Sequence, residues 1–109
     1  MPKVTVIEIT NGQSRELEKL RDGSPREWYE RLSDITECPP DYLMKMMNGV
    51  KLLELTRQNF SNTFELAKRK KEGADTVIFL KGYQLVHNGN KKIFRPLKHE
   101  DSGRILSIQ

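Results

Sequence analysis

The eighteen-residue stretch Ser24-Pro25-Arg26-Glu27-Trp28-Tyr29-Glu30-Arg31-Leu32-Ser33-Asp34-Ile35-Thr36-Glu37-Cys38-Pro39-Pro40-Asp41 holds the strongest local signals in the chain. Ser24 at the N-cap, Pro25 at the first helical position and Glu27 at the third predict a helix opened by a capping box. Trp28, Leu32 and Ile35 then fall at i, i+4 and i+7 and draw one apolar stripe along the helix. Pro39-Pro40 ends it, because a residue that precedes proline is driven out of helical geometry. Such a stripe needs a cover, since burying each of its side chains is worth roughly 1.5–3 kcal/mol. Alternate residues of a few short strands can supply that cover.

Strand signals lie on both sides. Val4, Val6, Ile7 and Ile9 form a β-branched run suited to a pleated surface. Two alternations compete within it, Val4 with Val6 and Ile7 with Ile9, and both remain open as the buried face. Thr10-Asn11-Gly12 reads as a hairpin turn, so Ser14 to Leu20, with Leu17 and Leu20 as its apolar members, is expected to return beside the first strand. Asp41 to Leu53 contains two apolar runs divided by Asn48-Gly49 and reads as a second hairpin, with helix as the rival for residues 41–47. Phe60, Phe64 and Leu66 fall in a polar stretch that reads as an ordered loop or a short helix, with Ser61 a candidate cap. Thr76-Val77-Ile78-Phe79-Leu80 is an unbroken apolar run of strand length, as a central strand would be.

The order hairpin, capped helix, Pro-Pro-Asp, strand with a Gly turn, irregular stretch and central strand resembles the ubiquitin-like domains. The residues that carry the likeness are Glu37-Cys38-Pro39-Pro40-Asp41 and, at the same spacing, Asn48-Gly49-Val50-Lys51-Leu52; the ungapped match covers roughly residues 3–81. The resemblance implies an α+β chain of the β-grasp type, a mixed sheet wrapped around one helix, with residues 1–82 as the ubiquitin-like domain. Residues 83–109 are then a strand-rich C-terminal tail. Three departures accompany it. Lys45 takes a position that is normally an apolar core residue, so either its stem snorkels or a one-residue slip exchanges it with Met44 and Met46. The Lys68 to Asp75 loop is longer than in ubiquitin. After Leu80 the chain runs on through Lys81-Gly82-Tyr83 without a terminal Gly-Gly pair, so the resemblance implies a domain of the non-conjugated type.

On that reading the outer sheet face presents Met44, Met46, Ile78 and Leu80 to a protein partner, since clustered exposed apolar side chains mark binding surfaces and methionines adapt to irregular partners. The plainer alternative makes these residues core, or has the tail cover them. By the same resemblance the partner belongs to the ubiquitin, proteasome or chaperone pathways. Lys68-Arg69-Lys70-Lys71, with Lys81 near it, could meet phosphates or an acidic partner, which makes a basic nucleic-acid-binding adaptor the first alternative. A solvated loop is the plainer reading of the same run, and a structural subunit of a larger assembly is the second alternative. In the tail, Gln84 to Phe94 flanks a third Asn-Gly at Asn88-Gly89 and reads as another hairpin. Arg104 to Ile108 could add a strand to an edge, in this chain or in a partner, or lead into a further domain.

The remaining properties are consistent with a small non-enzymatic adaptor. One hundred and nine residues suit a single domain, and neither a membrane-length apolar run nor a secretory leader is expected. The lone cysteine, Cys38, has no close Cys or His partner for a disulfide or zinc site, which fits a reducing cytoplasmic or nuclear setting, and it reads as a small buried apolar residue. Net charge of +4 and a pI near 9.3 permit acidic partners without demanding them. No catalytic residue, metal site or cofactor is expected, since His87 and His99 lie in the tail and no Gly-rich phosphate loop occurs.

Overall fold

The computed structural model describes residues 4–48, 50–55, 76–89, 91–98 and 103–108. The elements run β1 (Val4–Ile9), α1 (Asn11–Arg21), α2 (Pro25–Thr36), α3 (Pro40–Met47), β2 (Lys51–Leu55), β3 (Thr76–Lys81), β4 (Tyr83–Asn88), β5 (Lys91–Pro96) and β6 (Ile105–Ile108). The class is α+β, with a mixed four-stranded sheet ordered β2-β3-β1-β6 and a separate β4–β5 hairpin. β1 lies parallel to β3 in the register Val4 to Thr76 through Ile9 to Lys81, β2 lies parallel to β3, and β6 runs antiparallel to β1.

The middle of this sheet matches expectation. Val77 to Leu80 is a central strand, and α2 crosses it with the Trp28 ring edge-on to Phe79 at 6.1 Å between centroids. Leu32 is fully buried, and Trp28 and Ile35 pack half-buried on the same core. Helix α2 begins and ends where the prolines place it, although Ser24 makes no side-chain cap bond; its backbone carbonyl accepts from Trp28 instead. The competing alternations of β1 resolve as both. Ile7 and Ile9 face the helices with Leu17, Leu32, Leu43, Met47, Val77 and Phe79, while Val4 and Val6 face the hairpin with Ile78, Leu80 and Leu85. A strand covered on both faces has no polar side to reveal its orientation.

Two expected hairpins are helices. Residues 14–20 belong to α1 because Thr10 and Gln13 form a reciprocal capping box: Thr10 Oγ1 accepts from the Gln13 N–H at 3.1 Å and Gln13 Oε1 accepts from the Thr10 N–H at 3.0 Å. Asn11-Gly12 therefore sits in the first helical turn, and the place beside β1 is taken by β6. Residues 41–47 belong to α3, with Pro40 at the first helical position, Asp41 in the first turn, and Leu43 and Met47 at i, i+4 turned into the core. The Pro-Pro-Asp signal thus opens a helix, and Lys45, expected on a strand, is an exposed residue of that helix. The strand expected after Asn48-Gly49 forms as β2. The expected stretch from Phe60 to Leu66 and the basic run Lys68-Arg69-Lys70-Lys71 lie outside the described residues.

The tail forms both features read from it. Asn88 and Lys91 close the β4–β5 hairpin, with Gly89 at φ 63°, and β6 adds its strand to β1 of the same chain.

Candidate functional site

Of the four residues expected to form an apolar patch on the sheet, two are interior. Ile78 and Leu80 are 0% exposed and packed under β4 and β5, where Leu85, Tyr83 and Phe94 cover them. The hairpin that follows β3 folds back over its own strand, which removes that sheet face from solvent. Met44 and Met46 are not on the sheet at all. Met46 is half-buried against the helical core, whereas Met44 is 50% exposed on α3, as is Tyr42 at 55%.

Helix geometry explains the exposure. With Leu43 and Met47 turned inward, Tyr42, Met44 and Lys45 must point away from the core. α3 becomes a ridge with a hollow on each flank. One, about 440 Å³, lies towards α2 among Tyr29, Asp41, Met44, Lys45 and Asn48. The other, about 330 Å³, lies over the start of β1 and β3 among Thr5, Tyr42, Met46, Val50 and Thr76, and Lys45 lines it too. Tyr42 and Met44, two residues apart, therefore point to opposite flanks of the ridge, with Lys45 between them lining both hollows.

A second polar cluster was not anticipated from sequence. Glu8 is 0% exposed on the hairpin side of β1, and its carboxylate accepts from Arg104 Nε at 2.6 Å, from Arg104 Nη2 at 3.0 Å and from the Leu85 N–H at 2.5 Å. Arg104 Nη2 also donates to the Leu85 carbonyl at 2.6 Å. A bulge aims this arginine: the Gly103 N–H donates to the Glu8 carbonyl at 2.6 Å and the Glu8 N–H donates to the Arg104 carbonyl at 2.9 Å, so two residues oppose one, with glycine at φ 87° in the first position. The available signal was an acid inside an otherwise apolar run, since a buried carboxylate requires a partner.

This cluster is a clasp joining β1, β4 and the entry to β6. Breaking a buried pair from one side costs about 3–5 kcal/mol; with the Arg104 side chain 45% exposed, we expect Arg104→Ala to lose about 2–3 kcal/mol on that scale. Urea unfolding measures it, and a loss below about 1 kcal/mol would mean that the carboxylate is satisfied without the arginine.

The gap among Ile9, Leu17, Trp28, Leu52 and Phe79 measures about 30 Å³, space for about one water. Cys38 is half-buried against the helical core. Among the described residues no three His, Cys, Asp or Glu side chains converge as a metal site requires, and no helix is long and apolar enough to cross a membrane. In comparisons with known protein families, curated proteins and solved structures, the chain matches none.

Proposed function

We propose that this chain is a non-enzymatic protein-interaction domain whose contact surface is the outward ridge of α3. The observation that carries the reading is the exposure of Tyr42 and Met44 on either side of Lys45, on a helix whose Leu43 and Met47 are buried and whose Met46 is half-buried. Aromatic residues and methionine are enriched at interface cores, and a rigid ridge between two hollows accepts side chains from a partner on either flank. The partner that fits is a protein with an apolar cleft and a carboxylate placed to meet Lys45. That surface replaces the sheet-face patch of Met46, Ile78 and Leu80.

Within the α+β class, the β-grasp assignment draws support from the parallel β1–β3 middle crossed by α2, and the two helices in place of its hairpins count against it. The ubiquitin, proteasome or chaperone pathway as the source of the partner rests on the ubiquitin-like resemblance alone, and the cytoplasmic or nuclear setting on the lone Cys38. The ridge itself does not depend on that likeness.

The test is a double substitution, Tyr42→Asp with Met44→Asp. Both positions are exposed, so circular dichroism and thermal stability are expected to stay those of the native chain, to within about 0.5 kcal/mol per site. Binding to the partner isolated with the native chain is expected to weaken at least a hundredfold, as loss of two hot-spot residues at about 2 kcal/mol or more each would produce. Retained affinity would exclude the α3 ridge.

A further inference from the structure

Charge is divided between the two layers that cover the sheet. Residues 11–47, which form α1, α2 and α3, carry eight Asp and Glu against six Lys and Arg. From Lys81 to His99 the sequence has five Lys and Arg, two His and no Asp or Glu. We propose that the outer face of the β4–β5 hairpin is a binding surface for duplex DNA, on the side of the sheet opposite to α3.

The register sets that face. Tyr83 opposite Pro96 and Leu85 opposite Phe94 alternate with Gln84 opposite Arg95 and Val86 opposite Ile93. Tyr83, Leu85 and Phe94 pack on the core, so the outer side carries Gln84, Val86, Ile93 and Arg95. The Leu97 N–H donates to the Gly82 carbonyl at 2.9 Å and holds the chain leaving β5 against the hairpin base. Exposed Lys98 thereby shares one hollow with Arg95 and Gln84, and among the described residues no carboxylate lines it. Lys81, at the same base, is already paired with Glu18 at 3.0 Å, so among the described side chains Arg95 and Lys98 are the pair placed to reach phosphate.

The chemistry favours a duplex over other polyanions of the same class. A single strand is gripped by stacking on exposed aromatics, and here both hairpin aromatics face inward. A two-stranded ribbon of six residues per strand, about 20 Å long, fits a B-form major groove about 12 Å wide. The A-form RNA major groove is too narrow to admit it. Arginine and glutamine at facing positions are also the side chains that hydrogen-bond base edges in that groove.

Fluorescence anisotropy of the full-length chain with a labelled 20-base-pair DNA duplex, the matching single strand and a double-stranded RNA tests the proposal. The duplex DNA is expected to bind tightest at low salt, with affinity falling linearly on a log–log salt plot. Arg95→Ala with Lys98→Ala is expected to reduce that slope by about 1.8, at roughly 0.9 for each phosphate that the variant leaves unneutralised. Arg95→Lys with Lys98→Arg is expected to keep the native slope, and circular dichroism confirms that each variant is folded. No binding to duplex DNA at low salt, tighter binding of the single strand or the RNA, or a slope change below about one in the alanine variant would each overturn it.

Discussion

Gly103→Ala is expected to lower stability by about 4 kcal/mol, from left-handed backbone strain of about 1–3 kcal/mol and overpacking of about 1–3 kcal/mol. Gly103 is buried at φ 87°, and a Cβ placed there would lie 2.0 Å from the Ile35 carbonyl oxygen and 2.9 Å from its carbon. The obstacle is backbone in the last turn of α2, so no side-chain rotation relieves it. The residue has a double duty: it supplies the bulge that aims Arg104 at Glu8, and it lets the entry to β6 approach α2. At roughly 4–8 °C per kcal/mol, the melting temperature should fall by about 20 °C. Gly89→Ala is the control, because Gly89 has φ 63° with nothing within 4 Å of the added carbon; it should cost only the conformational term, about 1–2 kcal/mol. Equal losses at the two positions would mean that β6 does not approach α2 as closely as described.

Ile78→Asp is expected to leave no folded protein. Ile78 is 0% exposed between Val4, Val6, Leu80 and Leu85. The change combines the lost apolar core volume, typically 2–5 kcal/mol, with a carboxylate buried among apolar side chains. The sum exceeds the usual ceiling of about 4–5 kcal/mol for one substitution and approaches the whole stability of a domain of this size. Far-ultraviolet circular dichroism and size-exclusion chromatography report it. Met44→Asp on the α3 ridge should be neutral within about 0.5 kcal/mol. A folded Ile78→Asp variant that loses only partner binding would restore the sheet face as the contact surface.

These two substitutions also mark where the sequence was readable and where it was not. The middle of the fold was legible because its signals are local: the proline at the start of α2, its stripe of Trp28, Leu32 and Ile35, and the β-branched runs of β1 and β3. The three Asn-Gly pairs show the limit of a turn signal. At Asn88-Gly89 strand-forming residues flank both sides and a hairpin forms, with Gly89 in the left-handed region. At Asn11-Gly12 the following residues are Glu, Arg, Lys and Leu, good helix formers, and Thr10 with Gln13 supplies a capping box that outweighs the turn. At Asn48-Gly49 the preceding Pro-Asp opens α3, and the i, i+4 pair Leu43 and Met47 is satisfied by a helix as well as by a strand. The helix was the weighed rival there, and tertiary burial chose it.

The site was harder to read because exposure is a non-local property. Ile78 and Leu80 form an apolar pair on one face of β3, and only the return of β4 and β5 decides that they are interior. Met44 kept its expected exposure but on a different element. Glu8 and Arg104 are far apart in the chain, and nothing near either residue in sequence names the other. The clasp between them depends on β6 pairing with β1, a pairing that alternation within β1 could not specify because both of its faces are apolar.

The placement of the contact surface on α3 follows from the hairpin covering the sheet. Adding a soluble paramagnetic reagent to methyl-labelled protein reads that covering residue by residue in nuclear magnetic resonance spectra. The methyl signals of Met44 and Ile93 are expected to broaden strongly, while those of Ile78, Leu80 and Leu85 stay sharp. Broadening of Ile78 and Leu80 to the same extent as Met44 would put the sheet face in solvent and contradict the arrangement.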